Sequence, residues 1–193
     1  MLLKSLNQLN FNIGAMKSLV DNQVTSIQLV KPDIAKKYYE LSADGNIFAS
    51  IDLIRGYGSL ARIEVPQGSF TIKRLGFFMP YITLRKEKSD ADFAKIYLDL
   101  NSKCIFKIDN VTCNFKLLNS WKNQWGWVNE NNKPIVKYML TTFGQVRGDV
   151  EFSKDFSYIV HLELLAAVGA YFLLQLEDEV NQNGSDREYS HIN

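Results

Sequence analysis

The chain has 193 residues, enough for one sizeable domain with its own core. Hydrophobic residues make up 46%, aromatic residues 12%, and the formal net charge is +1, an ordinary globular composition without the basic excess of a nucleic-acid-binding chain. Two cysteines, Cys104 and Cys113, lack metal-site or redox-motif spacing, and MLLKSLNQLNFNIG has neither the apolar core nor the cleavage site of a secretory signal; a reducing, cytoplasmic setting is expected.

Along the chain, Leu2, Leu6, Leu9, Ile13, Met16 and Val20 recur at spacings of four and three. This predicts an N-terminal helix or arm over 1–22 with a narrow apolar stripe, packed on the outside of the domain. With only Lys4 and Lys17 on its polar side, it makes a poor interfacial anchor.

From Gln23 the period changes to two, the signature of strands. Candidates run Val24–Val30, Lys37–Ala43, Asn46–Leu53, Leu60–Val65, Phe70–Leu75, Tyr81–Arg85 and Phe93–Leu100. They continue through Lys103–Ile108, Val111–Leu117, Trp125–Asn129, Ile135–Thr142 and Gln145–Phe152. Asp44-Gly45 is a two-residue hairpin signal, and Pro66-Gln67-Gly68 and Glu130-Asn131-Asn132 are further turns. With Asp109-Asn110 as another turn, Ile108 pairs with Val111, Phe106 with Cys113, and Cys104 with Phe115. All six then share one face, while Lys103, Lys107 and Lys116 take the other. A slip of one residue would bury the lysines, so the register is specified and both thiols face the core as structural groups.

The segment Ile159–Leu176, IVHLELLAAVGAYFLLQL, is apolar on every side and must be surrounded by protein or lipid. A spanning helix needs about 20 mostly apolar residues. Here His161, Glu163 and Gln175 bound a shorter run, Leu164 to Leu174, without basic flanks. About a dozen strands closing on themselves make a barrel too wide for its own side chains to fill. The expected fold is therefore mainly β (α+β): a closed antiparallel barrel of about twelve strands over 23–180, enclosing an apolar C-terminal helix over 158–176. Leu164, Leu165, Val168 and Phe172 are its expected core contacts, and the polar stretch 181–193 is expected to be a disordered tail.

Chemistry is sparse. Of the two histidines, His191 lies in the expected tail and His161 begins the apolar helix. Glu163 must sit near the barrel mouth or beside a cation, because a buried unpaired carboxylate is costly. Gly56-Tyr57-Gly58-Ser59 and Gly126-Trp127 are too sparse for a phosphate loop, and no hydrolase or metalloprotease signature is present. No catalytic residue, metal or cofactor is assigned.

The layout resembles the tubby-like superfamily, which includes the tubby C-terminal domain, the plant LURP-one-related proteins and the phospholipid scramblases. Val150–Phe156 followed by the apolar run looks like the strand, aspartate and helix that end a scramblase domain. Trp121–Val128 with its Asn-rich turn, and Ser42–Phe48, look like hairpins of LURP-one-related barrels. The resemblance implies a barrel with the helix threaded through its centre. It also implies functions ranging from phosphoinositide binding by basic residues, in tubby domains, to calcium-linked lipid movement, in scramblases. Of the acidic positions that scramblases use for calcium, only Asp155 lines up, with Ser153 and Ser157 beside it, so no calcium site is expected.

Local basic pairs occur at Lys36-Lys37, Lys73-Arg74 and Arg85-Lys86. Phe77-Phe78, Trp121, Trp125 and Trp127 are candidates for a lipid interface. The expected function is a non-catalytic binding or scaffolding module, cytoplasmic and peripheral to membranes. Lys73, Arg74, Arg85 and Lys86 would recognise an acidic phospholipid headgroup; the partner is such a lipid or a protein, and no nucleic acid. Alternatives are a carrier in which Gly169-Ala170 leaves room for an apolar ligand, and a tail-anchored membrane protein.

Overall fold

The structure, a computed structural model, describes residues 16–54, 60–75, 81–89, 91–98, 104–141 and 145–188. The strands are β1 Ser26–Val30, β2 Tyr38–Ala43, β3 Asn46–Ile54, β4 Leu60–Val65, β5 Gly68–Leu75 and β6 Tyr81–Lys86. They continue as β7 Asp92–Leu98, β8 Cys104–Ile108, β9 Val111–Asn119, β10 Gln124–Val128, β11 Pro134–Leu140 and β12 Val146–Phe152. A 3-10 turn, Lys154–Phe156, leads to a helix, α1 Leu162–Glu188. Each strand pairs antiparallel with its chain neighbours, and β12 returns to pair with β1, closing a twelve-stranded barrel around α1.

The hairpin chemistry is visible at two turns. Asp44-Gly45 and Asp109-Asn110 both hold positive φ at their two central residues (50° and 74°, 48° and 63°), the geometry a two-residue hairpin turn requires. Across the second, Ile108 faces Val111, Phe106 faces Cys113 and Cys104 faces Phe115. Cys104 and Cys113 are buried, and burial pushes both thiols up to about 12. The thiolate is the reactive form. A thiol reagent at pH 8 should therefore leave both cysteines unlabelled in the native protein and label both in denaturant; mass spectrometry of the two samples checks this.

The core lies between the inner barrel face and the helix. Leu164, Leu165, Ala166, Ala167, Val168 and Ala170 are fully buried, and Phe172 is 9% exposed. Facing them are buried barrel residues such as Ile51, Ile63, Leu84, Phe106, Trp127 and Tyr138. Two polar aromatic groups touch the helix backbone. Trp127 Nε1 donates to Leu165 O at 2.9 Å and the Tyr138 hydroxyl donates to Ala166 O at 2.8 Å. Each carbonyl has a second lone pair for this while still serving its helix. The room expected at Gly169 is thereby taken: a Cβ built there would lie 2.6 Å from both Trp127 Nε1 and Tyr138 Cζ.

The helix starts later and ends later than the expected 158–176. At its start, Asp109 from the β8–β9 turn accepts the His161 backbone N–H at 2.7 Å and contacts His161 Nδ1 at 2.8 Å. This caps the helix from a distant turn and leaves Ser157–His161 as a turn. At its end, α1 runs on through Glu188, over residues expected to be disordered tail; once the helix is nucleated inside the barrel, each further residue adds a bond without a new nucleus. Lys37 with Asp178, and Arg147 with Glu177, tie the helix to the far mouth. At the N-terminus, residues 1–15 of the expected helix lie outside the described residues, and the described part, 16–25, is turn and irregular chain. Among the described residues no helix is long and apolar enough to cross a membrane, which gives the tail-anchored alternative no spanning segment there.

Candidate functional site

The outward face of β5–β8 is where basic side chains gather. On β5 and β6, Lys73 stands opposite Thr83; on β6 and β7, Thr83 stands opposite Lys95. One step beyond the Ile96–Phe106 pair, the same ladder brings Lys95 beside Lys107 of β8. Ile72, Ile82, Ile96 and Phe106 are buried, so strand alternation turns these neighbours outward, and Lys73, Lys95 and Lys107 are exposed. Adjacent strands lie about 4.8 Å apart, so the backbone positions of the three lysines fall in one transverse row across β5–β8. Thr83 sits in that row, 6% exposed, with its hydroxyl donating to Lys73 O at 3.5 Å.

Arg85 stands one pleat away, opposite Thr71. A register shift between Leu84 and Arg85 in the β6–β7 ladder sets Arg85 opposite Asp92. Arg85 Nη2 reaches Asp92 Oδ1 at 2.9 Å, and Lys95 Nζ lies 3.7 Å from Asp92 Oδ2. The hydrogen bond from Arg85 holds the Asp92 carboxyl below its usual range, with the charges of Arg85 and Lys95 acting the same way. Of the four cations on this face, Arg85 and Lys95 share the Asp92 carboxylate, and Lys73 and Lys107 have no acidic partner among the described residues. Like charges side by side on a ladder are destabilising. The row contributes nothing to the barrel's stability, and it would be neutralised by an anion spanning it.

Of the four residues expected to form the site, Lys73 and Arg85 come together here. Lys86 lies at the end of β6, where its Cε covers Gly68 of β5. Arg74 lies in β5 opposite Ile82, and its side chain is outside the described residues. Lys95 and Lys107 were not singled out from the sequence. Their outward parity was readable in the alternation of Phe93–Leu98 and Cys104–Ile108, but their adjacency depends on strand pairing.

The aromatic candidates separate. Trp121, in the β9–β10 turn, is 98% exposed, Trp127 is fully buried, and Trp125 stacks on Phe115 with ring centroids 5.8 Å apart. Phe77-Phe78 and Gly56–Ser59 lie outside the described residues. Among the described residues no group of three or more His, Cys, Asp and Glu side chains is placed to hold a metal ion. No protein-family profile, curated protein or solved structure matches the chain.

Proposed function

We propose that the protein is a non-catalytic binding module, cytoplasmic and peripheral to membranes, that recognises an acidic phospholipid headgroup on the outer face of β5–β8. What carries this is the row of Lys73, Lys95 and Lys107 across β5–β8, flanked by Arg85 and balanced among the described residues by Asp92 alone. A headgroup with more than one phosphate, such as a phosphoinositide, matches several cations spaced by the ladder better than a single point charge does. The resemblance to tubby-like barrels points the same way.

The test is cosedimentation with vesicles of phosphatidylcholine alone or with added phosphatidylinositol bisphosphate, at low and high salt. The native protein should bind only the second, and less at high salt. The double variant Lys73→Glu, Lys107→Glu alters exposed side chains and should keep the fold. At about 1 kcal/mol per charge near an anionic surface, it should weaken binding at least about tenfold. Equal binding to both vesicles, or binding indifferent to the two reversals, would remove the headgroup reading.

A further inference from the structure

A cleft of about 320 Å³ opens at the mouth where the helix begins. One wall is the N-terminal arm, whose Lys17 N–H donates to Ile47 O at 3.1 Å and whose Leu19 is 1% exposed. The other wall is the connection from β12 into the helix. Leu19, Val24, Phe152 and Leu162 give the cleft an apolar floor. Ser153, Lys154 and Ser157 stand on one side of it. Lys154 makes no ion pair among the described residues, and neither serine hydroxyl has a hydrogen-bond partner there. Tyr158 and Val160, each 63% exposed, continue the apolar surface along the same connection.

We infer that this cleft is a binding site for a small amphiphile with a single acyl-sized chain and a carboxylate head. The floor takes an apolar body, because every group on it is hydrocarbon. The rim takes an anion, because Lys154 is the one charged residue in the lining and its other polar side chains, Gln23, Thr25, Ser153 and Ser157, are neutral groups that can donate hydrogen bonds. The volume lies at the low end of the ~300–1,000 Å³ usual for ligand pockets, which fits one short chain and not a two-chain lipid. The site is built on β12, the arm and the helix start, on the opposite side of the barrel from β6 and β7. It therefore stands or falls independently of the lysine row.

The experiment is a calorimetric titration of the full chain with decanoate, and with decylamine as the cationic control, both below their micelle-forming concentrations. Decanoate should bind with a Kd below about 1 mM, and decylamine at least about tenfold more weakly. Lys154→Glu, a change at an exposed position, should lower decanoate affinity about tenfold and reverse the preference. Val24→Trp, which fills the floor, should abolish binding of both. If circular dichroism shows that Val24→Trp is unfolded, the two probes on Lys154→Glu decide the matter alone. No decanoate binding below about 1 mM, or binding unchanged by Lys154→Glu, would overturn the assignment.

Discussion

Gly169→Ala should lower the thermal midpoint by about 10 °C, although alanine is the better helix former by about 1 kcal/mol. The reason lies across the core. The Trp127 indole and the Tyr138 ring end press against the helix at Gly169, and both are fully buried. A methyl group there must push them back. Overpacking costs about 1–3 kcal/mol. The retreat also takes Trp127 Nε1 from Leu165 O and the Tyr138 hydroxyl from Ala166 O, at about 1–3 kcal/mol for each donor left buried and unpaired. Less the gain in propensity, about 2–8 kcal/mol is lost, against a usual total of about 5–15. Differential scanning calorimetry measures it. The double variant Gly169→Ala, Tyr138→Phe separates the two causes, because it removes one buried hydroxyl together with its clash. An unchanged midpoint in Gly169→Ala would mean that the helix sits further from the wall than described.

Glu163→Leu should be comparably damaging, for a different reason. Glu163 is 1% exposed. Its Oε1 accepts the Leu19 backbone N–H at 2.6 Å, and its Oε2 accepts Gln67 Nε2 at 3.0 Å. One carboxylate thus joins the arm and the β4–β5 turn to the helix start, in the first helical turn, where the dipole favours negative charge. Leucine fills similar space but leaves the buried Leu19 N–H unpaired, at about 1–3 kcal/mol, and the part-buried Gln67 amide with Val160 O alone. The Leu19 amide should exchange with solvent many times faster than in the native protein, and the midpoint should fall by about 10 °C. Glu163→Gln keeps one acceptor and should recover about half of the loss. Unchanged protection of the Leu19 amide in Glu163→Leu would contradict the tether.

Much of this architecture is legible before any coordinates. The β8–β9 hairpin is readable to the residue because Lys107 and Lys116 alternate with Cys104, Phe106, Cys113 and Phe115, so only one register keeps charge out of the core. The continuous apolar run after Tyr158 requires an enclosure, and the strand-rich chain before it supplies one. What escapes is whatever depends on meetings between distant segments. Gly169-Ala170 looks like spare room along the helix alone, but Trp127 and Tyr138 occupy that space. Glu163 is expected near a mouth or beside a cation, yet its partners are two neutral donors, one of which, the Leu19 N–H, lies 144 positions away, and nothing local announces it. The adjacency of Lys95 and Lys107 depends on which strands pair and on the bulge at Arg85, which moves the β6–β7 register past Phe93.

The pairing of β1 with β12 also sets when this chain becomes a barrel. Neighbouring hairpins can form as soon as each is available, but the seam joins Ser26 to Glu151, and the segment that fills the interior comes later still. Until both are present, the inner faces of the early strands expose a long apolar surface with two unpaired edges. Folding therefore ends on its most non-local step, closing a loop of most of the chain around a helix that must already lie inside. Such topologies fold slowly and are open to aggregation while they wait. Refolding from denaturant should be concentration-sensitive, and holding the chain dilute or bound to a chaperone until the seam closes should decide the yield.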